Sequence, residues 1–159
     1  MAFAGGAFVA VVAAQLHGPR VEVGVLVICA LVCAVTDYLT GYVYDAVIGS
    51  CAALVAIIAL LEGRLPDAAW GALLGGLAMG AIHVLTARRG LGLGDVKLAA
   101  AFGAGLGLYG TLVALCVAWI CGGIAAVVLL SIGRASAKTR LPFGPFLSLG
   151  CLVALGWGA

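Results

Sequence analysis

The chain has 159 residues, of which 65% are hydrophobic and 9% charged, with a formal net charge of +2. Its mean hydropathy is +1.30. A soluble domain carries about 25% charged residues and a disordered chain is poor in apolar ones, so both classes are excluded. The small net charge argues against nucleic acid as a partner. What remains is a polytopic membrane protein, read as a single transmembrane domain over 1–159 with no room for a sizeable soluble unit.

A spanning helix takes about 20 residues. In chain order, the long uncharged stretches predict helices over 2–16, 22–41, 45–61, 67–86, 95–109, 111–133 and 143–158. The first lacks the basic flank of a signal peptide. It reads as a retained span, short enough to lie partly in the interface. The stretch from Leu98 to Gly133 is too long for one crossing, and Tyr109-Gly110 is the expected break. These runs show no period-2 alternation, so an all-α bundle of about six to seven helices is expected rather than a barrel.

Basic residues orient such a bundle. Arg20 and Arg64 fall on one side, whereas Arg88, Arg89, Lys97, Arg134, Lys138 and Arg140 fall on the other. The second side should therefore face the cytoplasm. Cys29, Cys33, Cys51, Cys116, Cys121 and Cys151 are scattered through apolar helices without a C-x-x-C pair. They read as packing residues, with neither zinc ligands nor disulfides expected. Gly71-x-x-x-Gly75, Gly76-x-x-x-Gly80 and Gly103-x-x-x-Gly107 are spacings that let helices approach closely.

Three polar loops fall on the predicted cytoplasmic side: 36–45, 88–97 and 134–146. A site is expected where they converge. Of the six acids, Glu22, Glu62 and Asp67 lie on the opposite side and read as solvated charges or helix caps. Asp37 falls inside a span near its cytoplasmic end, where a carboxylate is costly and points to function. Asp95 follows Gly90, Gly92 and Gly94. It reads either as an N-cap or as a carboxylate presented by a loop whose glycines permit unusual backbone angles and close approach.

Two carboxylates from different helices that meet at the membrane edge can act as an aspartic dyad. They share one proton, because two like charges held close cannot both ionise cheaply. Lys97 and Asp45 lie close enough in sequence to support such a site. Other chemistries find less: there is no G-x-S-x-G, no H-E-x-x-H, and His17 and His83 read as lone polar residues in apolar helices. No metal and no cofactor are expected. The competing functional reading is a transporter or ion relay built on an intramembrane Asp, and a third is a non-catalytic scaffold.

Gly92-Leu93-Gly94-Asp95-Val96-Lys97 resembles the GxGD signature of the type IV prepilin peptidases. Asp37 takes the place of that family's upstream aspartate, in a pattern like D-x-R-x-x-x-I-P-N, with Val43, Tyr44 and Asp45 at the last three positions. Pro142-Phe143-Gly144-Pro145-Phe146 is similar to the family's C-terminal run. The resemblance implies an aspartic endopeptidase of the bacterial plasma membrane. Such enzymes remove a short basic leader from prepilins or pseudopilins at the cytoplasmic face. It implies Asp37 and Asp95 as the catalytic pair, Gly92 and Gly94 as residues shaping the loop, and membrane lipids around Arg88, Arg89 and Lys97. The insert with two C-x-x-C pairs found in long members, associated with methylation, has no counterpart here, so the short peptidase-only members are the better likeness. The Tyr44-Asp45 pair resembles the related presenilin-type GxGD proteases. It makes Asp45 the alternative first acid.

Overall fold

The computed structural model describes residues 21–40, 44–86, 91–133 and 143–158. These form five helices: α1 (Val21–Thr40), α2 (Asp45–Leu61), α3 (Leu65–Leu85), α4 (Leu93–Ser131) and α5 (Gly144–Trp157). Among the described residues α1, α3 and α4 are long and apolar enough to cross a membrane, and α2 and α5 are shorter apolar helices. The expected helix over 2–16 lies outside the described residues.

The helices are apolar on every face, as expected of a bundle that meets lipid outside and protein inside. Leu26, Val55, Met79, Leu98 and Leu147 form the core, while Ile28, Ile57, Leu77 and Ile120 stay exposed. Lipid supplies no hydrophobic drive for helix association, so close packing must supply it. The most extensive contact, α3 with α4, is built on Gly71 and Gly103. A Cβ on either would strike the other's backbone.

The expected break at Tyr109-Gly110 is corrected by two or three residues. The non-helical residue inside α4 is Gly107, at φ 69° and ψ −174°, a left-handed region that disfavours side chains. The chain doubles back there. Thr111 Oγ1 lies 2.5 Å from the Gly107 carbonyl and 3.4 Å from that of Gly103, eight residues that an unbroken helix would hold about 12 Å apart. The restarted segment takes its cap from another helix, since Asp67 Oδ1 accepts the Leu108 N–H at 3.1 Å. A Cβ on Gly107 would occupy the Asp67 carboxylate's place. The length of the uncharged run called for a break near Tyr109-Gly110, but the tertiary cap decides the position of the turn.

The acids expected to be solvated at this end divide into two kinds. Glu62 stays largely exposed. Glu22 is buried, and its carboxylate pairs with Arg64, which also bonds Glu62 at 2.8 Å. This ties the start of α1 to the α2–α3 turn. Glu62 and then Glu22 push the Arg64 guanidinium further above its ordinary value. Cys29, Cys33, Cys51 and Cys151 are buried where α1, α2 and α5 meet, and Cys29 Sγ lies 3.9 Å from Cys33 Sγ. Cys116 is exposed and Cys121 is half-buried, so not all six are core residues.

Candidate active site

The opposite end of the bundle collects the termini of α1, α4 and α5, together with the start of α2. Asp37 lies in the last turn of α1 and is only 5% exposed. Its Oδ2 accepts the Gly144 N–H at 2.9 Å. The need for this bond comes from α5. The first N–H groups of a helix have no intrahelical partner, and its N-cap residue, Phe143, contributes no side-chain bond. Asp37 therefore caps α5 from a distance. Gly144 is needed for space, because a Cβ there would come within 2.5 Å of Asp37 Oδ2.

Asp95 lies in the first turn of α4 and is 8% exposed. It is not the N-cap that one sequence reading allowed. Gly92 takes that position, and α4 starts two residues earlier than expected. Asp95 Oδ2 accepts the Gly92 N–H at 3.2 Å, the reach-back half of a capping box. The glycines play a narrower part than anticipated. Gly92 is extended, at φ −74° and ψ 152°, and neither it nor Gly94 has a positive φ. A Cβ on Gly92 would lie 3.4 Å from Asp95 Oδ2, an ordinary van der Waals contact, so neither space nor unusual backbone geometry demands glycine at that residue. Gly90 lies outside the described residues.

The two carboxylates thus come from different helices and sit at the N-termini of α5 and α4, where helix dipoles favour negative charge. They are near enough for the Asp37 charge to act on Asp95. No cation among the described residues pairs with either.

Asp45 and Lys97 are placed elsewhere. Lys97 Nζ meets the Asp45 carboxylate at 2.8 and 2.9 Å, with both side chains more than half exposed. They line an open groove of about 500 Å³ with Ile48, Ala72, Ala100 and Ala104; Asp37 and Asp95 are not part of it. The pair therefore joins α2 to α4 beside the two buried acids, and Lys97 is committed to Asp45. Of the basic residues read as facing lipid, Arg88 and Arg89 fall outside the described residues, as do Arg134, Lys138 and Arg140.

Two contributors escaped the sequence reading. The P-F-G-P-F run was noted, but nothing in it signalled that the Gly144 amide would meet Asp37. His83 was read as a lone polar residue. It is buried, and its Nδ1 lies 2.7 Å from the Leu91 carbonyl, at the threshold of the Gly92–Asp95 turn.

Residues 24–127 match the type IV leader peptidase family, well over half of the chain. The chain belongs to that family. A prepilin leader peptidase/N-methyltransferase of Stutzerimonas stutzeri is 36% identical over 102 residues, covering 62% of this chain and 35% of that protein. One of Legionella pneumophila is 41% identical over 76 residues, covering 48% of this chain and 26% of that protein. Leader peptidase HopD of Escherichia coli is 41% identical over 99 residues, covering 58% of this chain and 63% of that protein. The chain thus spans about a third or less of the length of the two bifunctional relatives. No solved structure matches. Asp37 and Asp95 both fall inside the matched region, and Gly144 lies beyond it.

Proposed function

We propose that this protein is an aspartic endopeptidase that removes the leader from prepilin or pseudopilin precursors, with Asp37 and Asp95 as its catalytic pair. One observation carries the reading. Two buried carboxylates from separate helices lie near enough for the Asp37 charge to act on Asp95, each held by a single backbone amide and neither neutralised by a cation among the described residues.

Such a pair keeps one proton between its members. The ionised carboxylate takes a proton from water as the water oxygen attacks the scissile carbonyl carbon. The protonated carboxylate donates to the carbonyl oxygen, giving a tetrahedral diol. Collapse of the diol breaks the C–N bond; the proton taken from water passes to the departing amine, and a diol hydroxyl returns a proton to the carboxylate that had donated one. The two amide donors hold the carboxylates in place for this exchange.

The positive-inside count, six basic residues against two, supports a plasma-membrane bundle with this end facing the cytoplasm. Glu22, Glu62, Arg64 and Asp67 would then lie at the outer face. Asp45 is exposed and matched to Lys97, which supports Asp37 rather than Asp45 as the first acid. The transporter reading gains no comparable support, because these polar groups gather at the two ends rather than along a path through the middle.

The test is co-expression of the protein with a prepilin, following the mobility shift of leader removal. Asp37→Ala and Asp95→Ala should leave the precursor uncut while Asp45→Ala cuts it. Full cleavage by either of the first two variants would sink the assignment.

A further inference from the structure

We infer that His83 is a positioning residue that fixes Asp95 through the single peptide joining Leu91 to Gly92. This rests on the reading of Asp95 as catalytic and adds a residue that no motif includes.

The geometry is a continuous chain of donors and acceptors. A carbonyl oxygen only accepts, so the 2.7 Å contact between His83 Nδ1 and the Leu91 carbonyl places a proton on Nδ1. The Leu91 C=O and the Gly92 N–H belong to the same planar peptide unit. That N–H donates to Asp95 Oδ2 at 3.2 Å. One rigid plane is thus held at its oxygen by His83 and presents its hydrogen to the carboxylate. Rotation of the plane would remove the donor from Asp95, and His83 on α3 opposes that rotation from outside the turn.

Two further features favour positioning over mere burial of a polar ring. Leu91 is itself buried in the core, so its side chain anchors one side of the peptide while His83 anchors the other. Moreover, a donor on a peptide oxygen strengthens the same peptide's N–H as a donor, because hydrogen bonds in series polarise one another. Among the described residues, the charged groups at this end besides Asp95 are Asp37 on α1 and the Asp45–Lys97 pair on α2 and α4. None of them is bonded to the peptide, which leaves His83 as its side-chain partner among the described residues.

The experiment compares His83→Leu, His83→Asn and the unaltered full chain, purified in detergent, cleaving a prepilin across a range of pH. Leu fills the ring's space with no donor, while Asn keeps an amide N–H near the position of Nδ1. His83→Leu should lower kcat about tenfold, with KM within about twofold, as a misplaced catalytic group does. It should also move the pH–rate profile to higher pH, because a bond that favours the ionised carboxylate is lost. His83→Asn should recover most of kcat and the original profile. Asp95→Ala and Asp37→Ala are run alongside. If both are inactive while His83→Leu keeps the normal kcat and profile, the positioning role is overturned and the catalytic assignment stands. If His83→Asn behaves like His83→Leu, the donor has no role. If Asp95→Ala cleaves normally, both readings fall together.

Discussion

The two ends of this bundle use carboxylates in opposite ways. At one end Glu22 is buried against Arg64, and Asp67 caps the segment that restarts after Gly107. Each acid there has a structural task and a partner, although the second Glu22 oxygen, Oε1, is buried without one among the described residues. At the other end Asp37 and Asp95 are also buried and also accept backbone amides, but there the Asp37 charge acts on Asp95 and no cation among the described residues pairs with either. A protein that sought only stability would not place two acids so, because buried charge is costly without a counter-ion. The comparison separates acids that only cap from acids that cap and also carry uncompensated like charge, which is why the second pair is proposed as the site.

The widest gap between the ends should come from the acids themselves. Asp37→Ala or Asp95→Ala should lower prepilin cleavage by about a thousandfold or more with little loss of thermal stability in detergent. Asp67→Ala should do the reverse. Comparable activity in the two classes would erase the distinction.

Space is the next lever. Gly144→Ala brings a methyl group within 2.5 Å of Asp37 Oδ2, and a shift of about 1 Å can cost about a hundredfold in rate. The kcat should therefore fall by tens of fold while the chain still folds. A fall in Tm that accounts for the whole loss would make Gly144 a packing residue only.

At the opposite end, Arg64→Ala strands the buried Glu22 carboxylate. With Arg64 itself about a third exposed, water softens the penalty, and a loss of about 1–3 kcal/mol is expected, read from thermal unfolding. Asp67→Ala removes a cap and should cost about 1 kcal/mol, with normal kcat in the folded fraction. The smallest effect belongs to Asp45→Ala. An exposed pair contributes little, so cleavage should stay within about twofold and become less sensitive to salt.

Much of this was legible in the sequence because a bilayer simplifies the reading. Helices α2 and α3 fall within a residue or two of the uncharged stretches that predicted them, since charges must leave the hydrocarbon. Asp37 and Asp95 stood out for the same reason: so few charges are present that each position is informative. What could not be read was which groups meet across helices. Asp95 passed for a possible N-cap because both readings put an acid at a helix start, and only the loop's path makes Gly92 the cap. Asp67 reads as a solvated charge or a helix cap, and which segment it caps could not be read because its partner, the Leu108 amide, is 41 residues away.

The sequence by itself determined the class of the protein, most helix boundaries in the described residues and the two acids of interest, because composition and periodicity answer directly to the bilayer. Tertiary structure alone decided that Asp37 caps α5 at the Gly144 amide, that Lys97 is committed to Asp45, that the chain doubles back at Gly107 and that His83 reaches the Leu91 carbonyl. Each of these is, or is held by, a hydrogen bond or an ion pair between groups whose proximity depends on how helices stack. A backbone amide carries no sequence signature to announce which side chain it will meet.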